Sequence, residues 1–107
     1  MSLSNSEDVK LHTLAKSSLQ RNNAKQCAAL RDGTGRTHVG TSVHLVSLQL
    51  DAIAVALAMA LSSGADQIEA VVVVGNKPDE GAVSSIREIS PQAAIWYAHD
   101  DGSIHSL

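Results

Sequence analysis

Two hydrophobic spacings alternate along the chain, and their alternation lays out an order of elements. Val9, Leu11, Leu14, Ala15 and Leu19 recur at helical spacing with Lys10, Lys16 and Gln20 elsewhere around the wheel, which predicts an amphipathic helix from Glu7 to about Arg21. Asn22-Asn23 breaks that pattern, and Lys25 to Arg31 reads as a short strand of small apolar residues. Asp32-Gly33-Thr34-Gly35 is a hairpin signal, and the return strand is Arg36 to Val43. The stretch Leu48 to Leu61, LQLDAIAVALAMAL, is apolar around its whole circumference, with Asp51 as its only ionisable residue. It predicts a helix buried on more than one side, with Ser47 as N-cap and Gly64 at the left-handed C-terminal position. Ile68 to Val74 contains four consecutive valines, the pattern of a strand covered on both faces. Asp79 or Glu80 opens a third helix with Val83, Ile86 and Ile89 on one face, stopped by Ser90-Pro91. A strand from Ala93 to Ala98 follows, and the tail from Asp101 to Leu107 allows at most a brief edge strand.

Helix, hairpin, then helix and strand twice calls for a mixed sheet with right-handed parallel crossovers and helices on its faces. Residues 1–6 are small and polar and read as a disordered lead-in, leaving a single domain over residues 7–107. At 107 residues one core suffices, burying roughly 60–70% of the surface that the unfolded chain exposes. Apolar residues make up 44% of the chain but aromatics only 2%, so the core rests on Ala, Val, Leu and Ile.

Net charge of −3, with eight basic residues thinly spread, argues against a nucleic-acid surface. The longest apolar run, Ala52 to Leu61, is shorter than the roughly 18–20 residues that cross a bilayer. A soluble protein of the reducing cytoplasm is expected, because Cys27 is the only cysteine and no signal-like start is present. Two Cys27 residues from different chains remain free to pair.

The residues TGRTHVGTSV leading into an apolar helix, then SSGADQIEAVVVV and a Pro-led loop, resemble the small homotetrameric cytidine deaminases. The resemblance implies a three-layer α/β fold with a mixed sheet of four to five strands. In that family a G-x-N-x-E strand precedes a helix opening with C-A-E, and P-C-x-x-C opens the next helix. Three of those residues hold zinc with one open position, and the Glu of C-A-E shuttles protons as water attacks the base. Gly40-Thr41-Ser42-Val43-His44 falls on the first motif, so Ser42 and His44 replace Asn and Glu. Asp51-Ala52-Ile53 falls on C-A-E, and Pro78-Asp79-Glu80-Gly81-Ala82 on P-C-x-x-C. Asp51, Ile53, Asp79 and Ala82 therefore stand where zinc chemistry needs ligands and an acid. The interval from Gly40 to Gly64 is also shorter than the family pattern.

On this reading the chain is a non-catalytic relative, an oligomeric scaffold or binding module with no catalytic residues, no metal ligands and no cofactor. A vestigial pocket would contain Ser42, His44, Asp51, Ile53 and Asp79, and as an alternative it binds a nucleoside-like small molecule. A further alternative is a metal-dependent hydrolase using Asp51 and Asp79, against which two carboxylates are few for a hard cation. Asp51 in a first helical turn is otherwise explained by the helix dipole. His44 lacks a partner at motif spacing, and His12, His38, His99 and His105 show no metal-binding spacing. Cys27 reads as a packing residue, and Ser84 and Ser85 as solvent-facing or capping. The Gly75 to Gly81 loop matches no phosphate-binding motif. A helix apolar all round needs cover beyond one sheet face, which points to a homodimer or homotetramer through Leu48, Leu50, Val55 and Met59. The other partner would be a small molecule or a protein, and neither nucleic acid nor membrane.

Overall fold

The four-valine strand lies at the centre of a five-stranded sheet in the computed structural model, which describes residues 3–107. In chain order the elements are α1 (Ser6–Arg21), β1 (Gln26–Asp32), β2 (Thr37–Thr41), β3 (Val43–His44), β4 (Gln49–Leu50), α2 (Ala52–Ser62), β5 (Ile68–Gly75), α3 (Glu80–Ile89), β6 (Ala94–Ala98) and β7 (Ile104–Ser106). The sheet runs β2-β1-β5-β6-β7, with β5 and β6 parallel and the other neighbours antiparallel. β3 and β4 form a separate two-stranded ribbon.

Alternation along the central strands explains the unbroken valine run. Val71 and Val73 join Ala28, Leu30, Ile95 and Tyr97 in the core beneath α2 and α3, whereas Val72 and Val74 join Cys27, Ala29, Leu11 and Ala15 beneath α1. Each face of the sheet carries its own core, giving the three layers expected. Small residues let the layers approach: Ala28, Ala29, Ala52, Ala56 and Ala60 are fully buried. At Gly40 a Cβ would lie 2.8 Å from the backbone N of Ala56 and 2.8 Å from Val55 Cγ1, so α2 presses onto β2 where no side chain intervenes.

Three boundaries differ from expectation. The apolar helix begins at Ala52 rather than Leu48, because Gln49 and Leu50 pair with His44 and Val43 and hold this stretch extended. Its cap is Asp51, whose Oδ1 accepts from Ile53 N at 2.9 Å, and Ser47 sits instead at the ribbon turn. The return strand breaks at Ser42, whose N–H turns away to the Gln26 carbonyl at 3.1 Å. Gly64 follows the α2 C-cap with φ +97°, as predicted. At the other end α1 starts at Ser6, with Asn5 Oδ1 accepting from Glu7 N at 2.8 Å, and Leu3 packs against the α1-side core. Residues 1–2 of the expected lead-in lie outside the described residues. Among those described, no helix is long and apolar enough to cross a membrane.

The β1–β2 turn is built on Asp32, which is fully buried. Its carboxylate accepts from the Thr34 hydroxyl at 2.6 Å, from Thr34 N at 2.9 Å and from Arg36 N at 3.1 Å, and meets His38 Nε2 at 3.0 Å. The Thr34 hydroxyl, then His38 and the backbone donors, hold this carboxyl well below the usual carboxylate range against the opposing effect of burial. A folded pKa below the unfolded one means that the carboxylate stabilises fully above the ordinary value near 4 and loses that contribution as pH falls through the lowered one. Asp32→Asn is therefore expected to lower the urea midpoint at pH 7, with the gap to wild type narrowing towards pH 2. A gap that stays constant across that range would show that the charge of Asp32 plays no part.

Candidate functional site

Beyond the start of β1 and the end of β5, the N-termini of α2 and α3 converge on one carboxylate. Asp51 Oδ2 accepts from Asp79 N at 2.9 Å and from Gln26 Nε2 at 3.2 Å, while Oδ1 is occupied by the capping bond to Ile53. Gln26, at the head of β1 and only 4% exposed, also accepts from Ala52 N at 2.8 Å and donates to the Asn76 carbonyl at 3.0 Å. Gly75 has φ +88°, which turns the chain so that Asn76 N donates to the Lys25 carbonyl at 2.8 Å. The Tyr97 hydroxyl donates to the Gly75 carbonyl at 2.6 Å from the neighbouring strand.

Above this junction is an open cavity of about 300 Å³, lined by Gln26, His44, Gln49, Leu50, Asp51, Asn76, Lys77 and Asp79. Of the pocket residues read from the sequence, the fold brings His44, Asp51 and Asp79 together here. Ser42 and Ile53 are not on the wall: Ser42 joins β2 to β3, and Ile53 is fully buried in the core under α2. Asp79 takes the N-cap position of α3 without a side-chain capping bond.

Sequence reasoning missed Gln26, Gln49, Asn76 and Lys77. Nothing in the local sequence pattern marks Gln26. Gln49 enters only through the ribbon, which the helical reading of that stretch concealed.

The remaining candidates are dispersed. His38 serves the Asp32 turn, and His99 packs edge-on between Tyr97 and His105 at ring separations of 4.4 and 4.6 Å. Among the described residues no three His, Cys, Asp or Glu side chains are grouped to hold a metal ion. Cys27 is fully buried and burial pushes its thiol up, so the folded chain does not offer it for pairing with a second copy. Ser84 and Ser85 are exposed on α3, and the Ser85 hydroxyl donates to the Gly81 carbonyl at 3.1 Å. Of the interface candidates, Leu48 and Met59 are exposed and Leu50 and Val55 half-buried; Leu45, Val46 and Leu61 are exposed as well.

A family model for cytidine deaminase-like proteins matches residues 4–102, nearly the whole chain. The chain belongs to the cytidine deaminase-like family. Solved cytidine deaminases share its fold. The enzyme from Burkholderia pseudomallei superposes with a TM-score of 0.79 at 22% identity, covering 92% of this chain and 89% of that one. The Bacillus anthracis enzyme gives 0.74 at 15% identity over 96% of this chain and 83% of that one. The Mycobacterium leprae enzyme gives 0.69 at 17% identity over 91% and 90%. A comparison with curated protein sequences returns no match.

Proposed function

We propose that this cytidine deaminase-like protein does not deaminate, and acts as an oligomeric scaffold or binding module. The use made of Asp51 carries the reading. Zinc of the kind that the resemblance implies is held by thiolates and imidazoles, and the four matching positions here offer Asp51, Ile53, Asp79 and Ala82. Both Asp51 oxygens are taken by N–H donors, Ala82 has no donor atom, and Ile53 is a core residue that cannot move a proton. These residues do not fit the metal. Exposed Leu45, Val46, Leu48, Met59 and Leu61, carried by the β3–β4 ribbon and α2, support the scaffold half of the proposal.

The test is elemental analysis of untagged, freshly purified protein together with a cytidine deamination assay in added zinc. Far less than one zinc per chain and a rate no higher than the uncatalysed one are expected. Near-stoichiometric zinc with turnover would overturn the proposal and send the search for the active site to the histidines.

A second reading, a nucleoside-like ligand bound without turnover, is favoured by the cavity itself. Its volume is at the small end of the range for ligand sites, roughly 300–1,000 Å³. The side chains of His44, Gln49, Asn76 and Lys77 on its wall make no hydrogen bond or ion pair among the described residues. Saturable retention of cytidine in the same samples separates this reading from a scaffold with no ligand.

A further inference from the structure

We infer that Gln26 and Asp51 form a clamp made of protein alone at the position that the resemblance gives to zinc, and that clamp and metal exclude one another. The inference rests on the same placement of Asp51 and Asp79 as the proposed function, but it concerns stability rather than turnover.

Three segments distant in sequence meet there: the head of β1, the N-terminus of α2 and the loop before α3. A zinc ion ties such segments by binding side chains from each. Here Gln26 and Asp51 do so with five hydrogen bonds of 2.8–3.2 Å, from Ala52 N, Ile53 N and Asp79 N, between the two side chains, and to the Asn76 carbonyl. Both N–H groups of the Gln26 amide and its oxygen are engaged, in a side chain that is almost wholly buried.

Electrostatics makes the exclusion physical. Two helices direct their N-terminal, positive dipole ends at this junction, and the Asp51 carboxylate accepts from the backbone of both, with Asp79 on the wall of the same cavity. A dication at Asp51 would meet backbone N–H groups, break their bonds to the carboxylate and face two positive dipole ends.

Melting temperatures of wild type, Gln26→Ala, Asp51→Ala and the double variant, each with and without EDTA, test the clamp. EDTA is expected to leave the wild-type value unchanged. Each single substitution is expected to lower it by on the order of 10 °C, and the double variant by clearly less than both shifts together, since the two side chains share one network. Titration with Co²⁺ supplies an arm that does not depend on the variants folding. Wild type should show no ligand-field or thiolate charge-transfer absorption. Destabilisation of wild type by EDTA, stoichiometric Co²⁺ uptake by wild type, or fully additive substitutions would overturn the clamp. Turnover of cytidine alongside EDTA-insensitive melting would defeat the functional proposal and leave the clamp standing.

Discussion

Gly75→Ala is expected to remove roughly 2–5 kcal/mol of folding stability, because two independent costs fall on the same residue. The first is conformational: at φ +88° an L side chain is strained wherever it points. The second is spatial. A Cβ at this position would lie 2.3 Å from the carbonyl oxygen of Lys25 and 3.0 Å from the Cα of Gln26, both backbone atoms at the start of β1. Neither can rotate away as a side-chain tip would. Relief requires β1 and β5 to separate, yet they are joined here by the Asn76 to Lys25 bond and by the pairing of Gln26 with Gly75. Set against a total stability of about 5–15 kcal/mol for a domain, the loss is a large share. Urea unfolding should show a markedly lower midpoint, and the melting temperature should fall by roughly 10–30 °C. The effect reaches the site as well, since the same turn sets Asn76 and Lys77 on the cavity wall and presents Asp79 N to Asp51. An alanine variant as stable as wild type would mean that the turn relaxes freely and that the wall is not built on it.

The elements most legible in the sequence are those whose patterns have a single physical reading. Four valines in a row, β-branched and bounded by turn residues, read as a strand covered on both faces, and β5 is that strand. Gly64 after two serines marks a helix end, and α2 ends there. The candidate site was legible in part for a related reason. Asp51 and Asp79 each precede a helix, and convergence of the N-termini of α2 and α3 brings Asp51 to the backbone of Asp79. Leu48 to Leu50 was misread because periodicity alone does not separate an apolar helix from a short extended segment running into it. Pairing with Val43 and His44 decided the matter, and a two-residue ribbon leaves almost no pattern. Gln26 went unread for a different cause: its partners lie 25–50 residues away in sequence, and nothing local announces them.

Met59→Asp is expected to convert an oligomer of this protein into monomers without unfolding it. The inward positions of α2 are Ala52, Ile53, Ala56, Leu57 and Ala60, which the sheet and α3 cover. Outward lie Met59 and Leu61, 45% and 42% exposed, and the ribbon adds Leu48 at 46% and Val46 with no cover at all. From Leu45 to Ser63 the one ionisable side chain is Asp51, and it is turned to the helix junction. A second copy therefore offers the same uncharged apolar surface, so like can pair with like without charge repulsion, as a two-fold interface requires. An unpaired carboxylate buried in such an interface costs about 3–5 kcal/mol, and a two-fold contact buries it twice, weakening association on the order of 10⁴-fold or more. Light scattering coupled to size exclusion should give a dimer or tetramer for wild type and a monomer for the variant at micromolar concentration. Because Met59 is half exposed in the single chain, circular dichroism and the melting curve should still report a folded domain. A monomeric wild type over the whole concentration range would remove assembly from the proposed function.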